Sequence, residues 1–492
     1  MSNSLNIRFD NSYHRELEGF YVPWQGEQAP AASVIQLNHG LATELGMDFS
    51  NLDQEFAAMM FSGSDMFPGA APLAQVYAGH QFGSFNPQLG DGRAMLLGEV
   101  VDTQGRRRDI QLKGSGRTPF SRGGDGKSAL GPVLREYLVS EAMHALGVPT
   151  TRALAAVMTG ERVRRETSLP GAILTRVASS HIRVGTFEFF SSRQETEKVR
   201  QLADYAISRH YADLVNAEDC YLHFLNAVCQ AQAALVAKWM LLGFIHGVMN
   251  TDNSTISGET IDYGPCAFMD TYAPTTVFSS IDVQGRYTYV NQPSIAVWNL
   301  SRLADTLLPL IDDDEDRGVA KATEVLNGFS SAYFTNWLDG MRSKLGLITE
   351  KEGDMELYTD LLKALEGQNT DYTLLFRGLS DAALGDDRKI RILLSNEDAL
   401  DHWLTRWRSR LALESVDINQ KIAMMNQTNP IYIPRNHKVE EALDAATWHQ
   451  DFGPFEVLLE LLSSPFERRP GYEIFEQPAP ESFGPYRTFC GT

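Results

Sequence analysis

The sequence has no apolar run approaching the ~20 residues needed to span a bilayer. Its longest candidate, Leu235 to Val248, is shorter and is interrupted by Lys238 and His246. The opening stretch MSNSLNIRFDNSYHRELEGF contains neither a basic start followed by an apolar segment nor an Arg-rich amphipathic one, so a cytoplasmic protein with no membrane role is expected. Cysteine is scarce: Cys220, Cys229, Cys266 and Cys490 show no CxxC spacing, which excludes a zinc knuckle and a dense disulfide framework. Histidines at the HxxxH spacing of a zinc hydrolase are also lacking. Basic residues are in deficit, with 43 Lys and Arg against 63 Asp and Glu, a formal charge of -20. That balance opposes binding to nucleic acid, so any polyanionic ligand has to be met by a local cluster of cations.

What remains is the composition of a globular protein, 43% hydrophobic and 22% charged over 492 residues, without repeats or low-complexity tracts. From Ala94 to Ala178 short β-type runs dominate (AMLLGEVV, RRDIQLK, ALAAVM, GAILTRVA), separated by turns such as DTQG and TGER. Among them the spacing of Leu130, Leu134, Leu138 and Ala142 predicts a helix from about Ser128 to Leu146, stopped by Gly147 and Pro149. After Glu195 the pattern turns helical, with candidates at Glu195 to Arg209, Tyr221 to Phe244, Val319 to Lys344, Met355 to Leu365 and Ala399 to Arg410. The segment Thr260 to Asp270 reads as a short strand ending in a polar turn, and the acidic run Asp312 to Asp316 as a solvated loop or helix start. The expected class is α+β, with a β-rich lobe joined to a mainly helical one. The expected division is an extension over 1–75, a first lobe over 76–190 and a second lobe with a C-terminal extension over 191–492.

The chemistry is carried by an ordered set rather than by one motif. The turn Gly90-Asp91-Gly92 precedes a strand, a second strand ends at Lys113, and the helix presents Glu136. Much later HGVMNTDN (His246 to Asn253) is followed by Asp262-Tyr263-Gly264. In a protein kinase a strand lysine binds nucleotide phosphates and is held by a helix glutamate, while an Asn and an Asp hold the metal ions. Lys113, Glu136, Asn253 and Asp262 fill those four places. The turn at Gly90 lacks the third glycine of a dinucleotide fingerprint, since position 95 is Met95. Glycines in Gly114 to Ser128, directly after Lys113, suit a phosphate-lining loop, and Arg176 and Arg183 bring planar forks of donors.

One place departs from the kinase pattern. The eight residues His246 to Asn253 match H-R-D-x-x-x-x-N in length but put Val248 where the base should stand. Asp252 is the nearest carboxylate able to accept a proton from an attacking hydroxyl. Three readings follow: transfer of a nucleoside monophosphate, γ-phosphoryl transfer by a kinase with a substitute base, or an ATP-binding scaffold. Retention of both metal-binding positions speaks against the scaffold, and Val248 against the kinase.

The segments YAGHQFGSFNPQLGDGRA (Tyr77 to Ala94), QLKGSGRTPFSRGGDGKSA (Gln111 to Ala129), REYLVSEAMHALGVPTTRA (Arg135 to Ala153), HGVMNTDN, DYGPCAFMD and NPIYIPRNHKVEEAL (Asn429 to Leu443) closely resemble the selenoprotein-O family of pseudokinase-like protein adenylyltransferases. The resemblance implies a protein-kinase-like bilobal fold in which ATP lies inverted. AMP, and with UTP also UMP, would pass to Ser, Thr or Tyr hydroxyls of proteins, self-modification included, with release of pyrophosphate. It further implies nucleotide contacts from Gly90, Gly92, Arg93, Lys113, Asp125, Gly126, Arg176 and Arg183. Glu136 would position Lys113, magnesium or manganese would sit at Asn253 and Asp262, and Asp252 would be the base. The family's C-terminal selenocysteine or cysteine corresponds to Cys490, and a disulfide between Cys490 and Cys266 across the cleft is a further expectation. Lys127 stands where arginine is usual in the family; the charge is kept.

Overall fold

The computed structural model describes residues 7–489. It has α+β architecture: an antiparallel sheet with one packed helix in the first part of the chain, and a helical second part. Among the described residues ten strands precede the helical part: β1 (Tyr21–Pro23), β2 (Ser33–Leu37), β3 (Leu73–Gln75), β4 (Gly79–Gln81), β5 (Ser84–Asn86), β6 (Ala94–Val101), β7 (Arg107–Lys113), β8 (Ser128–Ala129), β9 (Arg152–Arg164) and β10 (Ser168–Ala178). Eight of them form one sheet in the order β1-β3-β6-β7-β10-β9-β2, with β8 paired to β10; β4 and β5 make a separate hairpin. AMLLGEVV and RRDIQLK occupy β6 and β7, whereas β9 and β10 extend beyond the runs ALAAVM and GAILTRVA. Strands β1, β2 and β3, all from the first 75 residues, are hydrogen-bonded into this sheet.

The helix that carries Glu136 spans Leu130–Ala145 and starts two residues later than its periodicity implies, because Ser128–Ala129 pairs with β10. Pro132 falls in its first turn, where its missing N–H costs nothing, and Gly147 at φ 76 follows its end. The helix packs against β9 and β10, and its Leu130, Leu134, Tyr137, Leu138 and Ala142 are all buried. The second part is built on Cys220–Leu242, which packs against Gln292–Ile311 and Glu315–Lys344. By length and composition Cys220–Leu242 would cross a membrane, yet 61% of its most apolar window is buried inside the protein, so it serves as a core helix. The acidic run opens Glu315–Lys344, with Asp314 capping the N–H of Arg317.

Gly243, at φ 71, ends the core helix, and the chain enters the short strand β11 (Phe244–Ile245), which pairs with β12 (Ala267–Phe268). These two strands bracket both His246 to Asn253 and the turn at Asp262. In Thr260 to Asp270 the turn therefore precedes the strand, the reverse of the sequence expectation: Asp262 sits at φ 63, which no non-glycine residue of the described strands adopts.

The helix Thr196–His210 is fastened to the sheet by buried charges. Arg209 pairs with Asp109 of β7 at 2.5 Å and with Glu99 of β6 at 3.3 Å. His181 donates its backbone N–H to Asp109 at 2.8 Å and places Nδ1 3.0 Å from the same oxygen. Burial pushes the His181 imidazole down to about 4, so it is neutral in the folded protein at pH 5. In the unfolded chain it takes up a proton below about pH 6.5. The unfolded state therefore binds more protons between those values, and the stability from the neutral ring is complete above about pH 6.5 and lost as pH falls toward 4. The urea midpoint should drop between pH 7.5 and pH 5, and the drop should shrink in His181→Asn, which keeps a donor to Asp109 without a titrating ring. An equal drop in both proteins would remove His181 as its source.

Candidate nucleotide site

Pairing in the sheet brings the site's cations together. Lys113 lies opposite Ala94 on β6 and Leu174 on β10, and Arg176 lies opposite Gln111. Because strand side chains alternate, Gln111 and Lys113 share a face with their cross-strand neighbour Arg176. Gln111 Oε1 accepts from both Nε (3.1 Å) and one terminal nitrogen (2.5 Å) of Arg176, which fixes the plane of the guanidinium. Lys113 Nζ donates to Glu136 Oε2 at 2.6 Å, so helix Leu130–Ala145 sets the lysine's position.

Three cations converge on one carboxylate. Asp262 Oδ1 accepts from Lys113 at 2.8 Å and from Arg176 at 2.7 Å, and Oδ2 accepts from Arg183 at 2.9 Å. Burial alone would raise the Asp262 carboxyl, but Lys113, Arg176 and Arg183 outweigh it and hold the group well below the usual carboxylate range. Arg183 also donates to the carbonyl of Asp252 at 2.6 Å and stacks 4.6 Å from the ring centroid of Tyr77.

The loop His246 to Asn253 is tied to this cluster through the Asp252 carbonyl on Arg183 and through His246, which bonds the residue before Asp262. Burial keeps the His246 imidazole below its ordinary value and hence neutral. Its Nε2–H then donates to the carbonyl of Ile261 at 2.9 Å, and Nδ1 accepts from the N–H of Val248 at 3.3 Å. Asn253 Nδ2 donates to the carbonyl of Val248 at 3.0 Å, leaving its amide oxygen as the group available to a ligand. Asp252 is 8% exposed, and burial pushes its carboxyl up to about 6.

These groups surround a cavity of about 690 Å³. Gly90, Gly92, Arg93, Lys113, Asp125, Gly126, Arg176, Arg183, Asp252, Asn253 and Asp262 all line it, and so does the apolar Val248. Glu136 stands behind Lys113 and lines an adjoining cavity of about 780 Å³. At the loop end Asp125 accepts from Arg165 at 2.8 Å and from the N–H of Lys127 at 3.0 Å, which holds the glycine-rich segment folded back. Gly126, at φ 68, lies so close to the carbonyl of Gly116 that no side chain fits there. Asp91, between the two glycines, is buried and accepts from the N–H of Gln75 at 3.0 Å, so it shapes the turn.

Asn253 and Asp262 are both oxygen donors on the cavity wall, one neutral and one kept ionised, a set that suits a hard divalent cation whose other positions come from phosphate and water. Among the described residues no group of three or more His, Cys, Asp or Glu side chains is placed to hold a metal, so the protein does not close such a site by itself. Cys266 is buried, and burial pushes its thiol up to about 11. Its expected partner Cys490 lies outside the described residues. Thr488 reaches the turn, donating to the carbonyl of Pro265 at 2.7 Å.

Sequence reasoning did not single out Gln111, Gln81 or Tyr77. The two-residue offset of Gln111 from Lys113 on one strand was a usable signal; for the other two there was none. The electrostatic arrangement makes a stability prediction. Asp262→Asn strips the shared anion from three neighbouring cations, and breaking a buried pair of this kind costs about 3–5 kcal/mol. Chemical denaturation without nucleotide should show a loss of that order; an unchanged midpoint would mean that Glu136 alone neutralises the cluster.

The family described as protein adenylyltransferase SelO matches residues 3–463. A protein nucleotidyltransferase YdiU of Cereibacter sphaeroides is 61% identical over 490 residues, covering 99% of this chain and 100% of that protein. Proteins of the same name from Agrobacterium fabrum and Rhizobium johnstonii are 54% identical (99% of this chain, 100% of the relative) and 55% identical (98% and 97%).

Proposed function

Since this chain belongs to the SelO family of protein adenylyltransferases and is an ATP-using nucleotidyltransferase, we propose that it moves AMP from ATP to Ser, Thr or Tyr hydroxyls of proteins, itself included, using a kinase-like two-lobed fold with the nucleotide inverted. UTP would serve the same chemistry as a UMP donor. The observation that carries this reading is the convergence of Lys113, Arg176 and Arg183 on Asp262, beside a loop whose expected base position holds Val248. Lys113, Arg176 and Arg183 outnumber their carboxylate partners Asp262 and Glu136, Arg93 on the same cavity wall adds to the surplus, and that surplus suits the β- and γ-phosphates. If those phosphates lie among these cations, the α-phosphorus faces Asp252 and pyrophosphate becomes the leaving group.

In this reading the acceptor hydroxyl oxygen attacks the α-phosphorus, the bond from that phosphorus to the bridging oxygen breaks, and pyrophosphate departs with the electron pair. Asp252 takes the hydroxyl proton. Lys113, Arg176 and Arg183 stabilise charge developing on the leaving group, with Arg93 and the amides of Gly90, Gly92 and Gly126 lining the remainder of the nucleotide's path. Asp125 holds the glycine-rich segment, and Glu136 keeps Lys113 in register. Asn253 and Asp262 would hold magnesium or manganese, which supplies charge neutralisation on the phosphate oxygens when bound.

The experiment that tests the reaction is double labelling. Label at the α-phosphate of ATP should become attached to protein, label at the γ-phosphate should not, chelation should stop transfer, and intact mass should rise by one AMP unit per modified site. Transfer of the γ-label would make the protein a kinase, and attachment of neither label across a broad set of acceptors would make it a scaffold. In the same assay Asp252→Ala should lower the rate at saturating ATP by about 10²–10⁴-fold while leaving ATP affinity in place, because a base acts on the acceptor's proton. Full turnover in that variant would remove Asp252 from the role.

A further inference from the structure

The reaction above makes no use of the hairpin β4–β5, although it packs directly on the loop that carries Asp252. Its turn is Phe82-Gly83, both at positive φ (52° and 85°), a tight two-residue connection. The hairpin bonds to three successive loop residues. The N–H of Phe82 donates to Asn250 Oδ1 at 3.0 Å, the N–H of His80 to Thr251 Oγ1 at 2.7 Å, and Gln81 Nε2 to Asp252 Oδ2 at 3.2 Å. The contacts at Thr251 and Asn250 are braced from behind. Glu188 lies 2.5 Å from His80 Nδ1 and accepts from Thr251 Oγ1 at 2.5 Å, and the Tyr287 hydroxyl donates to Asn250 Oδ1 at 2.6 Å.

The approach is so close that it requires glycine. A Cβ at position 79 would lie 2.8 Å from Asp252 Oδ1 and 2.9 Å from Asp252 Cβ, inside any real contact distance. Asp252 Oδ1 is buried, with no hydrogen-bond partner among the described residues. Oδ2 is thus the oxygen through which the carboxylate acts, and Gln81, which lines the same cavity, is bonded to it. The other charged groups facing Asp252 are Arg183, which donates to its carbonyl rather than to its carboxylate, and Asp262 across the cavity.

We propose that Gln81 is a positioning residue: its amide N–H occupies one lone pair of Asp252 Oδ2 and holds the carboxylate in the rotamer that turns the other lone pair toward the acceptor hydroxyl. Gly79 supplies the space for this arrangement. The inference rests on the reading of Asp252 as the base and adds to it the group that aims that base. Misplacement of a reacting group by about 1 Å costs on the order of 10²-fold in rate.

The test is a double-mutant cycle on the full-length protein, following attachment of α-labelled ATP, with Gln81→Ala, Asp252→Ala and the two combined. Gln81→Ala should slow transfer at saturating ATP by about 10²-fold with the ATP concentration for half-maximal rate and ATP affinity unchanged. The combined variant should be no slower than Asp252→Ala alone, because a positioning group has nothing left to position. Gln81→Glu, which keeps the length and shape but replaces the donor with a carboxylate, should be as slow as Gln81→Ala while melting like the wild type. If Gln81→Ala slows the Asp252→Ala background by its full factor, or if Gln81→Glu is fully active, the inference is overturned while the base stands. Full turnover in Asp252→Ala alone would overturn both.

Discussion

The carboxylate of Asp262 and the three cations around it are the constraint on which the rest of the site depends. Lys113 ends β7, Arg176 lies within β10, Arg183 follows β10, and Asp262 comes from the turn between β11 and β12. Charges taken from water at such cost are tolerated only when paired and hydrogen-bonded. Each cation accordingly has a second partner: Glu136 for Lys113, Gln111 for Arg176, and the Asp252 carbonyl for Arg183. The sheet, the helix bearing Glu136 and the loop His246 to Asn253 are thus held to one another through one cluster, and displacement of any element strands a charge. Asp262 itself is held in a left-handed conformation, a local strain that persists because the surroundings over-determine it.

On the proposed reading the cluster also settles a conflict in the overall charge. A chain of formal charge -20 repels a nucleotide triphosphate at long range, so attraction has to be local and enclosed. Low-dielectric walls do this: Arg176 and Arg183 are almost fully buried, and their field acts into the cavity with little screening. The same enclosure acts on the carboxylates in opposite directions. Asp262, surrounded by cations, is kept ionised, while Asp252, buried with one side-chain donor on its carboxylate among the described residues, is pushed up. Two carboxylates of one cavity driven apart in this way suit different tasks, one for holding charge and one for moving a proton.

The helical part contributes rigidity more than chemistry. The core helix Cys220–Leu242 ends at Gly243, and the β11–β12 pair then fixes both ends of the segment that contains the loop and the turn. Asn299, from Gln292–Ile311, donates to the carbonyl of Met249 at 3.0 Å and so supports the loop's middle from below. The β4–β5 hairpin covers it from above. A loop held on both sides by packed elements keeps its polar groups where a reacting atom must arrive, which a free loop does not.

Local periodicity and spacing were legible in the sequence. β6 and β7 coincide with AMLLGEVV and RRDIQLK because strand patterning depends on neighbouring residues alone, and the Glu136 helix was readable from its fourfold spacing. The order of Lys113, Glu136, Asn253 and Asp262 was readable in the sequence, and the fold gathers these residues at one cavity. The strand-then-turn reading of Thr260 to Asp270 failed because Asp262 takes a positive φ where its carboxylate meets cations from distant segments, a setting that its sequence neighbours do not announce. The incorporation of β1, β2 and β3 into the main sheet, the pairing of Gln111 with Arg176 and the seating of Gln81 on Asp252 were likewise decided only by the tertiary structure. Gln81 and Asp252 are 171 positions apart, and no periodicity reaches across such a distance. A contact of that kind exists only once burial of the apolar faces has brought the two segments together, so the sequence determines the parts and their order, and packing determines which parts touch.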